Sequence, residues 1–273
     1  LTRDLSAAGA GPLVGGEARP LAGVVPVVLP FRRGANRNDP PETIRSDAIS
    51  AIAVPATAAQ TTLAAELPAG ATALSLKPTV GCETSVNLCG FVPGLSLIAY
   101  DPAGAFDIFV VSSVDAATSV VNVAVNGSSS AYPSGAPVVE ARVRTYYLKQ
   151  DPVAQNSQLM QADGTSNPDV PVLDHVVDLR FEYFATANSR LDPSEFRDGP
   201  WLPDAVSPSR WDADLLRIRT VGVTLRVEGA LAALRGPAGA LFRNGGVATS
   251  PRLWVPDQEI TFAVFPRSGG ESR

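Results

Sequence analysis

The 273-residue chain contains a single histidine, two cysteines and one methionine. The lone histidine, His175, excludes most. Ser-His-Asp, Cys-His and multi-histidine metal chemistry must all share it or do without. Lysine is nearly missing as well, occurring only at Lys77 and Lys149. No apolar run approaches the roughly 18 residues of a membrane span. The longest, Leu21 to Phe31, is broken by Gly23, Pro26 and Pro30. There is no excess of positive charge: the net charge is −5 and the isoelectric point about 5.0. A sequence-independent nucleic-acid binder needs a basic face to release counterions, so no nucleic-acid partner is expected. There is no initiator Met and no signal-peptide pattern, and Leu-Thr-Arg-Asp-Leu reads as mid-helix. The expectation is a processed or truncated form.

What is present points to a folded, mostly β chain. Charged residues make up 18% and mean hydropathy is +0.10, too apolar for disorder. The length allows one or two domains and a core that needs no staples. Cys82 and Cys89 stand in a Cys-x6-Cys spacing that fits neither a zinc pair nor a redox CxxC motif. A local disulfide is the natural reading, worth about 2.5 kcal/mol for so short a loop. It implies an oxidising compartment. The other reading is two buried free thiols.

Residues 1–12 read as the end of a helix, with Leu1, Leu5 and Ala8 at helical spacing. Gly9, Gly11 and Pro12 stop it. Residues 13–47 form a Pro/Gly-rich connector carrying Arg32, Arg33 and Arg37, with one strand near Val24 to Leu29. Residues 48–137 read as an inserted β subdomain. Its candidate strands are Ala48–Val54, Ala71–Leu76, Ser96–Tyr100, Phe106–Val114 and Ser119–Val125, the last two joined by the hairpin signal Asp115 to Thr118. Residues 138–273 form a C-terminal β block. It opens with one long strand, Val138 to Leu148, and a short one, Ser157 to Ala162. Val172 to Asp178 reads as a helical turn before the strand Leu179 to Phe184. In Arg217 to Glu228, Val221, Val223, Leu225 and Val227 share one face, the period of a half-buried antiparallel strand. The last strand is Glu259 to Phe265. The fold class is α+β, mostly β: an antiparallel sheet packed by a terminal helix.

The order of motifs resembles minor pilins of the PilW type and J-type minor pseudopilins of type II secretion. The resemblance rests on the opening Leu-Thr-Arg-Asp-Leu-Ser-Ala-Ala-Gly. It continues in Val177 to Tyr183 (Val-Asp-Leu-Arg-Phe-Glu-Tyr), in Val221 to Val227, and in the ending Val-Pro-Asp-Gln-Glu-Ile-Thr-Phe. It covers residues 1–12 and roughly 138–265. The family's prepilin cleavage site and apolar helix are absent from these 273 residues. The resemblance implies a non-enzymatic subunit of an extracellular filament, a type IV pilus or a pseudopilus. Such a subunit is held in the inner membrane by its apolar helix before assembly and then joins other pilin or pseudopilin subunits. It implies no cofactor. The alternative is a secreted β-rich adhesin or carbohydrate-binding module.

Candidate chemistry is thin. His175 between Asp174 and Asp178 has the makings of a general base, yet no nucleophile elbow accompanies it. A turn histidine bonded to a neighbour is the plainer reading. Asp163, Asn167 and Asp169 form a weak calcium candidate without the closing glutamate of an EF-hand, so no metal is expected. Asp192, Glu195 and Asp198 are too close in sequence for a glycosidase pair facing across a cleft. Trp201 and Trp211 are candidate recognition residues; with Trp254, Tyr146 and Tyr147 they serve as a binding platform or as core anchors. Arg32, Arg33 and Arg37, with Arg45, are a candidate contact for an acidic neighbour, or a solvated connector.

Overall fold

A computed structural model describes residues 1–9, 24–33, 39–40, 43–55, 59–78, 88–124, 127–151, 156–164, 169–186, 188–203 and 210–267. Helix α1 (Thr2–Ala7) opens the chain. Gly9 ends it at φ +75°, a left-handed conformation that glycine adopts without a Cβ penalty. The Gly9 N–H then donates to the carbonyl of Ile52 at 2.9 Å, tying the helix end to the sheet.

In chain order, β1 (Val28–Leu29) and β2 (Ala48–Ala53) precede β3 (Gln60–Leu63), β4 (Ala73–Lys77), β5 (Ser96–Tyr100), β6 (Phe106–Asp115), β7 (Val120–Val123) and β8 (Pro137–Glu140). Then come β9 (Arg142–Asp151), β10 (Asn156–Ala162), β11 (Val170–Asp174), β12 (Val176–Thr186) and β13 (Ser189–Leu191). The short β14 (Trp201–Leu202) and β15 (Trp211–Asp212) pair with each other, and β16 (Thr220–Val227) and β17 (Gln258–Val264) end the order.

The fold is mostly β, with three main antiparallel assemblies and one short terminal helix. One sheet runs β1-β2-β9-β10-β11 and a second runs β13-β12-β16-β17. Their apolar faces share one core that includes Ile49, Val143 and Tyr146 of the first sheet and Leu179, Phe181 and Val223 of the second. Helix α1 packs against β2 and β17, so its Leu5 and Ala8 join this core. The third assembly is a closed barrel, β3-β4-β7-β6-β5-β8, with its own interior of Leu74, Leu97, Phe109, Val121 and Tyr132.

Period-two alternation couples the two cores. All five residues of β5 are buried, but on alternate sides: Leu97 and Ala99 fill the barrel, whereas Ile98 and Tyr100 face the sheet core. On β8, Val138 faces the barrel and Val139 the sheet core.

Three sequence expectations are corrected. The segment Val138 to Leu148 is two strands, interrupted at Ala141; β8 closes the barrel and β9 enters the five-stranded sheet. Ala48 to Val54 contributes β2 to that same sheet, so the barrel strands run from Gln60 to Glu140. Val172 to Asp178 forms no helical turn. It holds the end of β11 and the start of β12, separated by His175 at φ +61°. An apolar run of this length has no periodicity that separates strand from helix, and the left-handed residue turns the chain from one sheet to the other.

Candidate functional site

Helix α1 is the first candidate surface. Leu5 and Ala8 are fully buried and Leu1 packs partly against the same core. Between them, Asp4 accepts a hydrogen bond from the Tyr146 hydroxyl at 2.6 Å, and Tyr146 also meets Gln161 at 3.1 Å. Burial, reinforced by Asp4, pushes the Tyr146 phenol well above its ordinary range.

Among the described residues the arginines of the connector form no free basic patch. Arg32 lies 3.9 Å above the Tyr147 ring and pairs with Asp169 at 2.8 Å. Tyr147 donates to the same carboxylate, and burial together with that bond pushes its phenol up to about 12. Arg33 stands 5.8 Å from the Phe106 ring, where desolvation lowers its pKa. Arg45 contacts Asp39 at 3.0 Å and Asp47 at 3.7 Å. Arg37 lies outside the described residues. Arg32, Arg33 and Arg45 are thus used internally, which corrects their reading as part of a docking patch.

The calcium candidate is corrected on the same ground. Asp169 is taken by Arg32 and Tyr147, and Asp163 stands 3.8 Å from Arg144. Asn167 lies outside the described residues. Among the described residues no three His, Cys, Asp or Glu side chains gather as a metal site. Cys89 is disulfide-bonded, and Cys82 lies outside the described residues.

His175 faces Glu228, its Nδ1 3.9 Å from the carboxylate, and its carbonyl accepts from the Glu228 N–H at 3.0 Å. Glu228 is buried, paired with Arg235 and bonded by Asn244 at 3.0 Å. Asp174 is held by Gln158 at 2.8 Å, and Asp178 lies 3.9 Å from Arg180. The arrangement braces a sheet junction. In the loop after β13, Asp192 accepts from the Ser194 hydroxyl and N–H, which hold its carboxyl below the usual range. Glu195 accepts from the Asp192 N–H and pairs with Arg217. Asp198 is exposed in that loop. Two of these carboxylates therefore fold their own loop.

The tryptophans divide. Trp211 is buried, donates its indole N–H to the Gly104 carbonyl at 2.8 Å and meets Phe106 edge-on at 6.2 Å. It fastens β15 to the barrel, which corrects its reading as an exposed recognition residue. Gly104 has φ +96°, a conformation that favours glycine, and a Cβ there would lie in contact with Leu202 and the Trp211 ring at 3.4 Å. Trp201 is half-buried with Arg210 stacked at 4.5 Å. Trp254 packs edge-on against Phe242 at 5.6 Å. Tyr146 and Tyr147 are core residues.

The surface feature missed in the sequence is apolar exposure near the C-terminus. Ile260 is 51% exposed and Phe265 68%, and Leu231, Leu241, Val247 and Leu253 are exposed in the connection between β16 and β17. Alternation along Glu259 to Phe265 marks a strand, but only the sheet order reveals that it lies at an edge. Among the described residues no helix is long and apolar enough to cross a membrane. No family model matches the chain, and no curated protein matches it significantly.

Proposed function

We propose that this chain is a pilin-like minor subunit of an extracellular filament, acting in priming, assembly or tip display through protein contacts. The observation that carries the reading is the company kept by the four resembling segments. α1, β12, β16 and β17 are scattered in sequence, yet β12, β16 and β17 are adjacent antiparallel strands and α1 packs on β17. A helix laid on such a sheet is what the resemblance implies. In this reading other pilin or pseudopilin subunits are the partners. The inner membrane holds the subunit before assembly, and the cell surface or medium holds it afterwards. The Cys89 disulfide agrees with an oxidising compartment. The polar clusters around His175, Asp169 and Asp192 are internally paired, which supports a role without catalysis.

The test is the N-terminus of the mature protein from its native source. An N-methylated residue opening an apolar stretch of about 20–25 residues, which runs into Leu1, is the expected result. A mature chain that begins near Leu1 after ordinary signal cleavage overturns the reading in favour of a secreted β-rich binding module.

A further inference from the structure

Among the described residues the two larger sheets have four edge strands, and three are protected. β1 has two residues. β13 has three and pairs through a bulge. β11 carries Pro171 and pairs irregularly with β10. Short length, proline and bulges are the usual means by which sheets avoid adding a strand. The barrel has no edge at all.

β17 has none of these protections. It pairs with β16 over seven consecutive residues without a bulge. Its sequence, Gln-Glu-Ile-Thr-Phe-Ala-Val, lacks proline and lysine. Among the described residues its backbone bonds to no segment but β16. Residues 258 to 261 and Ala263 are exposed. Ile260, Phe262 and Val264 stand opposite Leu225, Val223 and Val221, in the row that faces the core. Coverage along that row fails from Val264, which is buried, to Ile260, which is half open.

The strand is also complementary to itself. In an antiparallel pair centred on Thr261, that residue faces its own copy. Ile260 then faces Phe262, Glu259 faces Ala263 and Gln258 faces Val264. Apolar side chains meet on the core-side face. The two Glu259 carboxylates stay about 14 Å apart at ordinary strand spacing, beyond a Debye length at physiological salt. Each Glu259 keeps Arg226 as its neighbour on β16. We infer that β17 pairs with β17 of a second copy of this chain, joining two four-stranded sheets across a two-fold axis. Such a contact is closed and does not propagate. It therefore describes the free subunit and stands apart from the filament reading.

Cross-linking of the full chain tests the register. Directly opposed residues have Cα atoms about 4.5–5.5 Å apart, within disulfide reach. The native Cys89 is already bonded, so an added thiol on β17 reports the new contact. Under mild oxidation Thr261→Cys is expected to give a covalent dimer. Glu259→Cys and Ala263→Cys are expected to stay monomeric alone and to cross-link when mixed. Sedimentation velocity of the unmodified chain is expected to show a reversible dimer. Thr261→Lys, which opposes like charges on an exposed site, is expected to abolish it with an unchanged melting temperature. A chain that stays monomeric at every concentration overturns the inference. So does equal cross-linking at all three positions, or a dimer indifferent to Thr261→Lys. N-terminal chemistry decides the filament reading independently of these results.

Discussion

The barrel and the two-sheet body solve the same problem in opposite ways. The barrel takes its strands from one continuous stretch, Gln60 to Glu140, and closes on itself. The two-sheet body gathers residues from both ends of the chain, and its sheets keep open edges. Closure satisfies every strand edge internally. An assembly of remote segments depends on each fastener between them. The difference teaches where the molecule is vulnerable: at the joints of the body, not in the wall of the barrel.

The strongest way to break that contrast is Trp211→Ala. Trp211 is the strap between β15 and the barrel, and loss of a buried aromatic of this kind costs about 3–5 kcal/mol. Denaturant unfolding is expected to show this loss. If the barrel is the sturdier unit, its amides stay protected from hydrogen exchange after the body has opened. Leu5→Ala is expected to cost about 3 kcal/mol and to spare the barrel, because Leu5 belongs to the sheet core alone. Equal loss of protection in both regions would show that they unfold as one. Reducing the Cys89 disulfide probes the other side, since Cys89 packs against the barrel interior. A loss of about 2–3 kcal/mol confined to barrel amides is expected.

The smallest effect is alkaline. The folded chain holds the Tyr147 proton up to about 12, whereas an unfolded tyrosine releases it near 10. That contribution is full below about pH 10 and is lost as the pH rises through the folded value. Tyr147→Phe is expected to flatten this part of the decline in melting temperature. The body should register the change and the barrel should not, because Tyr147 lies on β9.

Strands with a clean signal were legible in the sequence. β16 shows its period, and Asp115 to Thr118 marks the hairpin between β6 and β7. Positions set by distant partners were not legible. Nothing local distinguishes Trp211 as a strap, because Gly104 and Phe106 lie about a hundred residues away. Arg32 of the connector looks solvated until Asp169 and Tyr147 are brought beneath it. The break at Ala141 is hidden because both flanking segments are β-prone, and only the sheet order assigns them to different assemblies. His175 is a non-glycine residue in a left-handed conformation, which no composition rule anticipates.

The strand β5 is a party wall: alternate residues answer to different rooms. Losing or gaining one residue there would hand Ile98 to the barrel and Leu97 to the sheets, disturbing both interiors in a single step. The turn between β6 and β7, Asp115 to Thr118, is largely exposed and belongs to neither core. Length variation among related chains should therefore collect in that turn and leave β5 and β8 at constant length.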